Sequence, residues 1–157
     1  MAPLAIRPAT VRDAPLIAGL VNRAFLVEAF FIDGDRTSVQ EVSELLTRGS
    51  FLLGEDTGAL VATVYVEVRG RRGYFGLLSV EPSRQGQGVG GVLVDAAEAY
   101  CRAAGCEVMD IRVVDVRPEL PRFYRRLGYE EVGSEPFSEP DRAKLPCRFI
   151  LMSKSLR

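Results

Sequence analysis

The sequence predicts one α/β domain over residues 1–157, built on a central mixed, mostly antiparallel sheet of about six or seven strands flanked by about four helices. Three observations predict this class. Apolar and polar residues alternate through 59–68, the period of a strand with one buried face. Residues 89–104 have the spacing of one apolar helix face. An apolar stretch follows that helix, which predicts a strand, a helix and a second, parallel strand in succession.

Each predicted element is bounded by a residue that caps or breaks it. The predicted strands are 4–7, 51–54, 59–68, 74–80, 107–114, 129–132 and 148–152, and the predicted helices are one from Thr10 to near Glu28, then 39–48, 88–104 and 118–128. Thr10 with Asp13, and Ser38 with Glu41, are capping pairs that start the first two helices. Pro118 suits the first turn of the fourth helix because its missing N–H is not needed there.

A glycine-rich turn, residues 85–91, joins the fourth strand to the third helix. Glycines let a ligand approach the main chain closely, since they have no Cβ. The first N–H groups of the following helix have no internal partner and carry the positive end of the helix dipole. The turn therefore predicts an anion site, and a diphosphate fits it.

Two phosphate-binding patterns match this turn. The spacing Gly86-x-Gly88-x-x-Gly91 fits the dinucleotide fingerprint, but there the first glycine directly follows the strand, whereas here Pro82 and its neighbours intervene. The stretch Val80-Glu81-Pro82-Ser83-Arg84-Gln85-Gly86-Gln87-Gly88-Val89-Gly90 is the better match, because it resembles the acetyl-CoA signature of the GNAT superfamily of N-acetyltransferases. A second segment, Phe123-Tyr124-Arg125-Arg126-Leu127-Gly128-Tyr129, resembles another motif of that superfamily in the expected order.

The resemblance implies acetyl-CoA as the acyl donor. The residues expected to contact it are Leu78, Ser79, Val80, Gln85, Gly86, Gln87, Gly88, Val89, Gly90, Gly91, Arg117, Phe123 and Arg126. The pantetheine arm is expected between the fourth and fifth strands, which separate in this superfamily, with the Val80 N–H polarising the acetyl carbonyl. Arg117 and Arg126 are candidates for the CoA 3′-phosphate, and the alternative interpretation is that they are solvated helix charges.

Tyr124 is the expected general acid, placed by the second motif to protonate the departing thiolate. Periodicity alone favours a packed aromatic, because Leu120, Phe123 and Leu127 share its helix face. The motif match favours the catalytic role.

The general base is less defined by the sequence. An attacking amine must be neutral, and a lysine-like amine with a pKa of about 10.4 is almost fully protonated at pH 7. The resemblance places Arg112 where many members carry an acidic residue, and Arg117 where an Asn is usual. Glu81 and Glu28 are possible bases, although the favoured interpretation of each is an ordinary exposed carboxylate.

An acceptor pocket is expected between the first two helices and the final hairpin. Its predicted apolar walls are Phe25, Phe30, Phe31 and Ile32, and its predicted acidic residues are Glu28, Asp33 and Asp35. Core filling and a solvated turn are the alternative interpretation of these residues.

Composition excludes several classes of function. The chain has no histidine, which rules out Ser-His-Asp and Cys-His nucleophile systems. A net charge of −1 argues against nucleic acid as a partner. No apolar run is long enough to span a membrane, and three cysteines without C-x-x-C spacing indicate neither disulfides nor a metal site. We expect a cytoplasmic protein, a monomer or a homodimer, that needs no metal.

The predicted function is acetyl-CoA-dependent N-acetylation of a primary amine by direct attack on the thioester, with a small molecule as the favoured acceptor. A protein acceptor, through lysine or the N-terminus, is the alternative within the enzyme class. A non-catalytic acyl-CoA sensor and a nicotinamide dinucleotide binder are the alternatives outside it.

Overall fold

The computed structural model of the protein describes residues 4–157 and contains one seven-stranded sheet. The strands are β1 (Ala5–Pro8), β2 (Ser50–Asp56), β3 (Ala59–Arg69), β4 (Arg72–Val80), β5 (Val108–Val114), β6 (Glu130–Pro136) and β7 (Arg148–Ser155). They lie in the order β1-β2-β3-β4-β5-β7-β6, and each neighbouring pair is antiparallel except β4 with β5. The predicted fold class is confirmed, including the parallel pair.

The α-helices are α1 (Ala14–Ala24), α2 (Val39–Leu45), α3 (Val89–Ala103) and α4 (Glu119–Arg126). The predicted capping pairs are present: the Ser38 hydroxyl accepts from the Glu41 N–H at 3.1 Å, and the Asp13 carboxylate accepts from the Thr10 N–H at 2.8 Å. Helix α2 ends three residues earlier than predicted. The Thr47 hydroxyl donates to the Glu44 carbonyl at 2.6 Å, a local bond that competes with continued helix.

The final hairpin is longer than predicted, because Gly133 does not end β6. The pairing of β6 with β7 shifts by one residue between Glu131 and Gly133, and it then continues to Pro136 opposite Arg148. A bulge of this kind absorbs a glycine without ending the strand.

Helices cover both faces of the sheet. Helices α3 and α4 pack on one face through a cluster that includes Leu93, Ala97 and Tyr124 with Val64 and Met109 of the strands. Helices α1 and α2 pack on the other face, where the cluster is formed by Ala14, Ile17, Ala18, Val21, Val42, Phe51, Leu53 and Tyr65. Each fully buried large apolar side chain contributes about 1.5–3 kcal/mol to the free energy of folding relative to an exposed one.

Strands β4 and β5 separate after three paired residues. Their pairing joins Arg72–Tyr74 to Val108–Asp110 and stops there. Strand β4 also bulges against β3, because Tyr65 pairs with Gly76 whereas Thr63 pairs with Ser79. Leu77 sits in this bulge with a φ of +53°, a backbone conformation that is uncommon for a non-glycine residue. The predicted splayed pair is therefore confirmed, and main-chain groups of β4 beyond Tyr74 have no partner strand on the β5 side.

A buried charged cluster ties α3 to β7 and to the end of the second motif. The Tyr129 hydroxyl donates to the Glu98 carboxylate at 2.7 Å, and the Lys154 ammonium lies 3.0 Å from the same carboxylate. Glu98 is only 3% exposed. The cluster is not predicted from the sequence, because a glutamate on a helix is ordinarily a solvent-facing residue.

Candidate active site

The glycine-rich turn opens onto a cavity, a cleft of about 770 Å³. Gly88 is the N-cap of α3 with a φ of +79°, and Gly86 has the same φ. A Cβ built on Gly86, Gly88 or Gly91 would meet no atom within 4 Å. The open space in front of these glycines and the free N–H groups at the start of α3 fit a bound phosphate group.

Most of the predicted cofactor residues line this first cavity. They are Leu78, Val80, Gln85, Gly86, Gly88, Val89, Gly90, Gly91, Arg117, Phe123 and Arg126. Two predicted residues lie elsewhere: Ser79 is buried and donates to the Leu77 carbonyl at 2.9 Å, and the Gln87 side chain is exposed. Arg84, which precedes the turn, anchors it to β2, because its guanidinium binds the Asp56 carboxylate at 2.5 Å.

Tyr124 lies where α4 meets the cavity, among aromatic side chains. Its ring centroid is 5.9 Å from that of Phe75, 5.0 Å from Phe123 and 6.0 Å from Tyr129. Burial raises the pKa of Tyr124 above its usual value, and nearby Arg117 opposes part of that rise. The hydroxyl therefore keeps its proton at neutral pH. Since no hydrogen bond within residues 4–157 engages it, it can donate to a ligand.

Glu28 and Arg117 form an ion pair on the wall of the same cavity. The Arg117 guanidinium donates to the Glu28 carboxylate at 2.9 Å, and Glu28 is 6% exposed. The interpretation of Glu28 as an ordinary exposed carboxylate is therefore wrong. The Arg117 Nε is buried and has no hydrogen-bond partner in the described part of the chain, the Glu119 carboxylate being 3.6 Å away. A buried donor of this kind is costly to leave unpaired, so Arg117 has capacity for a ligand atom.

Glu81 lies apart from this group. Its carboxylate is held by the Arg23 guanidinium at 2.8 Å on the surface, and it does not line the cavity. Of the two possible bases, the fold brings Glu28 to the cavity of Tyr124 and leaves Glu81 outside it.

The predicted acceptor walls are placed only in part. Phe25 and Ile32 line the first cavity, whereas Phe31 is fully buried in a core cluster and Phe30 is 51% exposed. Asp33 and Asp35 are exposed and lie outside the cavity, which corrects their expected role in the pocket. Side chains from the final hairpin complete the wall instead, namely Phe137, Arg142 and Phe149.

A second cavity of about 630 Å³ lies on the sheet face that carries α2. It shares Arg36, Tyr74, Gly76, Leu77, Ile111 and Arg112 with the first cavity, so the two adjoin where strands β4 and β5 separate. Arg36 and Tyr74 are not among the site residues predicted from the sequence. Nothing in their local pattern marks them, because their position depends on where the β4–β5 gap opens.

The sequence profile described as Acetyltransferase (GNAT) family matches residues 21–129. The chain belongs to this family, as the sequence motifs predicted.

Individual relatives are similar over parts of their length. A mycothiol acetyltransferase of Propionibacterium freudenreichii subsp. shermanii is 31% identical over 91 residues, which are 55% of this chain and 29% of that protein. An acetyltransferase of Yersinia enterocolitica is 32% identical over 80 residues, which are 51% of this chain and 57% of that protein. The matched region thus spans well under two thirds of each of these two relatives.

Among solved structures, yncA of Salmonella typhimurium, described as a putative acetyltransferase with its cofactor acetyl-CoA, shares the fold. The TM-score is 0.77 with 20% sequence identity, and the match covers 99% of this chain and 95% of that one. Within residues 4–157 of this chain, no helix is long and apolar enough to cross a membrane, and no three side chains are grouped as metal ligands.

Proposed function

We propose that the protein transfers an acetyl group from acetyl-CoA to the primary amine of a small molecule. The observation that carries this proposal is the single cleft that has an anion-binding helix start at one end and Tyr124, Glu28 and Arg117 further along its wall. Family membership supports acetyl transfer, and the acetyl-CoA named with the Salmonella typhimurium structure supports that molecule as the donor.

The main chain and the arginines hold the donor in this proposal. The N–H groups at Gly88–Gly91 bind the diphosphate, and the main-chain N–H groups of Leu78 and Val80, which lie beyond the paired part of β4 and β5, pair with the pantetheine arm. Arg126 and Arg117 line the cleft and supply positive charge for phosphate or carbonyl oxygens.

Acetyl-CoA supplies an acetyl group already activated as a thioester, so no enzyme nucleophile is needed. The amine nitrogen bonds to the carbonyl carbon as the carbon–sulfur bond breaks. The Val80 N–H stabilises the negative charge that develops on the carbonyl oxygen. The Tyr124 hydroxyl gives its proton to the departing sulfur, a role suited to a phenol whose pKa is raised by burial.

Glu28 is the base in this scheme. Its carboxylate takes the proton that the amine loses, while the ion pair with Arg117 keeps the carboxylate in position. A buried carboxylate next to the acceptor also favours the approach of an ammonium group before that proton is lost.

The location and assembly of the protein are proposed on narrower grounds. Cys101, Cys106 and Cys147 are all free thiols, as in proteins of a reducing compartment, and we place the protein in the cytoplasm as a monomer or homodimer.

One experiment tests the proposal. CoA is first titrated into the protein by calorimetry, and a library of amines and short peptides is then screened for release of free CoA, with Tyr124→Phe as the control. Binding followed by turnover of small amines, lost in the control, is the expected result. Turnover restricted to peptides would favour a protein acceptor, CoA binding without turnover would favour a sensor, and protection from unfolding by NAD alone would favour a dinucleotide binder.

A further inference from the structure

The second cavity borders the first one on the side of α2. It lies against α2 and meets the first cavity across the β4–β5 gap at Tyr74, Gly76 and Leu77. A donor that lies along β4 from the glycine-rich turn occupies the end of the first cavity next to α3. The rest of the first cavity, which Glu28 and Arg36 line, and the adjoining second cavity are then left for the molecule that carries the amine.

In the second cavity the arginine side chains outnumber the carboxylates. Its lining includes the arginines Arg36, Arg48, Arg69, Arg72 and Arg112 and the carboxylates Glu41, Glu67, Asp110 and Glu135. Each carboxylate already has a partner. Glu67 binds Arg69 and the Tyr65 hydroxyl, Asp110 binds Arg72 and the Ser153 hydroxyl, Glu135 binds Arg112, and Glu41 accepts from the Thr37 hydroxyl. Three of the four carboxylates are therefore paired with arginines, and Glu41 has only a neutral partner within residues 4–157.

Among the five arginines of the second cavity, Arg36 is the one that lines both cavities and makes no ion pair within residues 4–157. Of these arginines, Arg36 and Arg112 line both cavities, and Arg112 is bound to Glu135. Arg36 is half-buried, with its guanidinium carbon 5.4 Å from the centroid of the Phe25 ring, and it makes no ion pair within residues 4–157. A partly desolvated guanidinium without an anion is unfavourable, and its fork of N–H donors fits a carboxylate.

We propose that the acceptor is a small amine that bears a carboxylate close to the amine, as an α-amino acid does, and that Arg36 binds this carboxylate. The inference rests on the proposed function and narrows its substrate class. The acceptor's two charges then face opposite partners in the cleft, since Glu28 lines the same cavity as Arg36. Polyamines are disfavoured, because they would bring further positive charge to a cavity with five arginines and four carboxylates, three of which already bind an arginine.

The test compares matched acceptors. Each of a set of α-amino acids is paired with its amino amide, which replaces the carboxylate by a neutral group, and kcat/KM is measured from CoA release and expressed per neutral amine. We expect the amino acid to be favoured by about tenfold or more, the effect of one charge-assisted hydrogen bond. Arg36→Gln should bring the ratio of the two values close to one, and Arg36→Lys should leave it in between.

The matched control is Arg71→Gln. Arg71 is an exposed arginine in the β3–β4 turn that lines neither cavity, and its removal should leave the ratio at the wild-type value. Calorimetry should give the same CoA Kd for the wild type and all three variants. A wild-type ratio near or below one, or a ratio that survives in Arg36→Gln, overturns the inference. A weaker CoA Kd in Arg36→Gln also overturns it, by assigning Arg36 to the donor.

The outcome remains decisive if no acceptor is turned over. The melting temperature of the CoA-saturated protein is then measured with amino acids and with their amides. The inference is supported if the amino acids raise the melting temperature, their amides do not, and Arg36→Gln loses this effect. If the amino acids do not raise it, the inference is overturned, although CoA binding is unaffected by that result. Failure of CoA to bind is the separate failure of the proposed function.

Discussion

The two ends of the cleft differ in whether main-chain or side-chain groups face the ligand. At the proposed donor end the groups available to a ligand are main-chain N–H groups, exposed by Gly86, Gly88 and Gly91 at the start of α3. At the acceptor end they are side chains from distant parts of the chain, as in the pair of Glu28 with Arg117, which is 89 residues away in sequence. The first end is suited to a ligand that does not vary, whereas the second can change acceptor by substitution of single side chains. Tyr124 lies between the two, and its removal is expected to have the largest effect.

Tyr124→Phe removes the proposed acid and keeps the packing against Phe75 and Tyr129. We expect kcat to fall by about 10²–10⁴-fold, the usual contribution of a general acid. The CoA Kd, measured by calorimetry, should stay at the wild-type value because the ring is retained. If Tyr124→Phe turned over at the wild-type rate, Tyr124 would be a packing residue of the core and not the general acid.

Glu28→Gln tests the acceptor end alone. Loss of the base should lower kcat/KM by about 10²-fold at pH 7, with partial recovery at higher pH where more of the amine is neutral. Glu81→Gln is the competing variant, since the Glu81 carboxylate is bound to Arg23 outside the cleft. A loss in Glu81→Gln that exceeds the loss in Glu28→Gln would transfer the role of base to Glu81.

Gly88→Ala tests the donor end alone. A Cβ at this position projects into the open space of the turn and strains a backbone with a φ of +79°. We expect the CoA Kd to rise by about tenfold and the free energy of unfolding to fall by about 1 kcal/mol. The matched control variant is Gly58→Ala in the β2–β3 turn, where φ is +84° and an added Cβ likewise meets no atom within 4 Å. That variant should lose similar stability in urea and keep its CoA affinity, and equal Kd values in the two variants would contradict a main-chain cradle at Gly88.

The smallest expected effect is in the alkaline pH profile. Tyr124 acts with its proton on, and burial raises its pKa above the usual value, so the protonated form persists to higher pH than in a free tyrosine. We therefore expect kcat, measured at saturating amine, to show no decline up to about pH 10, the ordinary pKa of tyrosine. A decline at lower pH that is absent in Tyr124→Phe would show instead that the phenol is lost as an acid in that range.

The difference between the two ends also explains what the sequence could predict. The glycine-rich turn, the helix after it and the parallel pair of strands follow from local signals, namely glycine spacing and apolar periodicity. The final hairpin is also predicted, but the predicted first strand stops before Gly133. In the structure a bulge there lets the strand continue.

Side-chain partnerships across the sheet have no such local signal. Glu28 fits a surface carboxylate in sequence, and its burial becomes visible only when Arg117 is folded against it. Arg36 likewise falls in an unremarkable turn. Glu98 is placed on the buried face of α3 because Tyr129 and Lys154 supply the hydrogen bond and the positive charge that compensate its desolvation.

The early end of pairing between β4 and β5 divides the sheet mechanically. Strands β1 to β4 form one block and β5 to β7 another, and the two are joined by three residue pairs at Arg72–Tyr74. A molecule bound in the gap contacts both blocks and replaces the hydrogen bonds that β4 and β5 do not make to each other beyond Tyr74. Occupancy should therefore stiffen the whole sheet, so that amide hydrogens of β4 and β5 exchange more slowly and the protein melts at a higher temperature as the donor concentration rises.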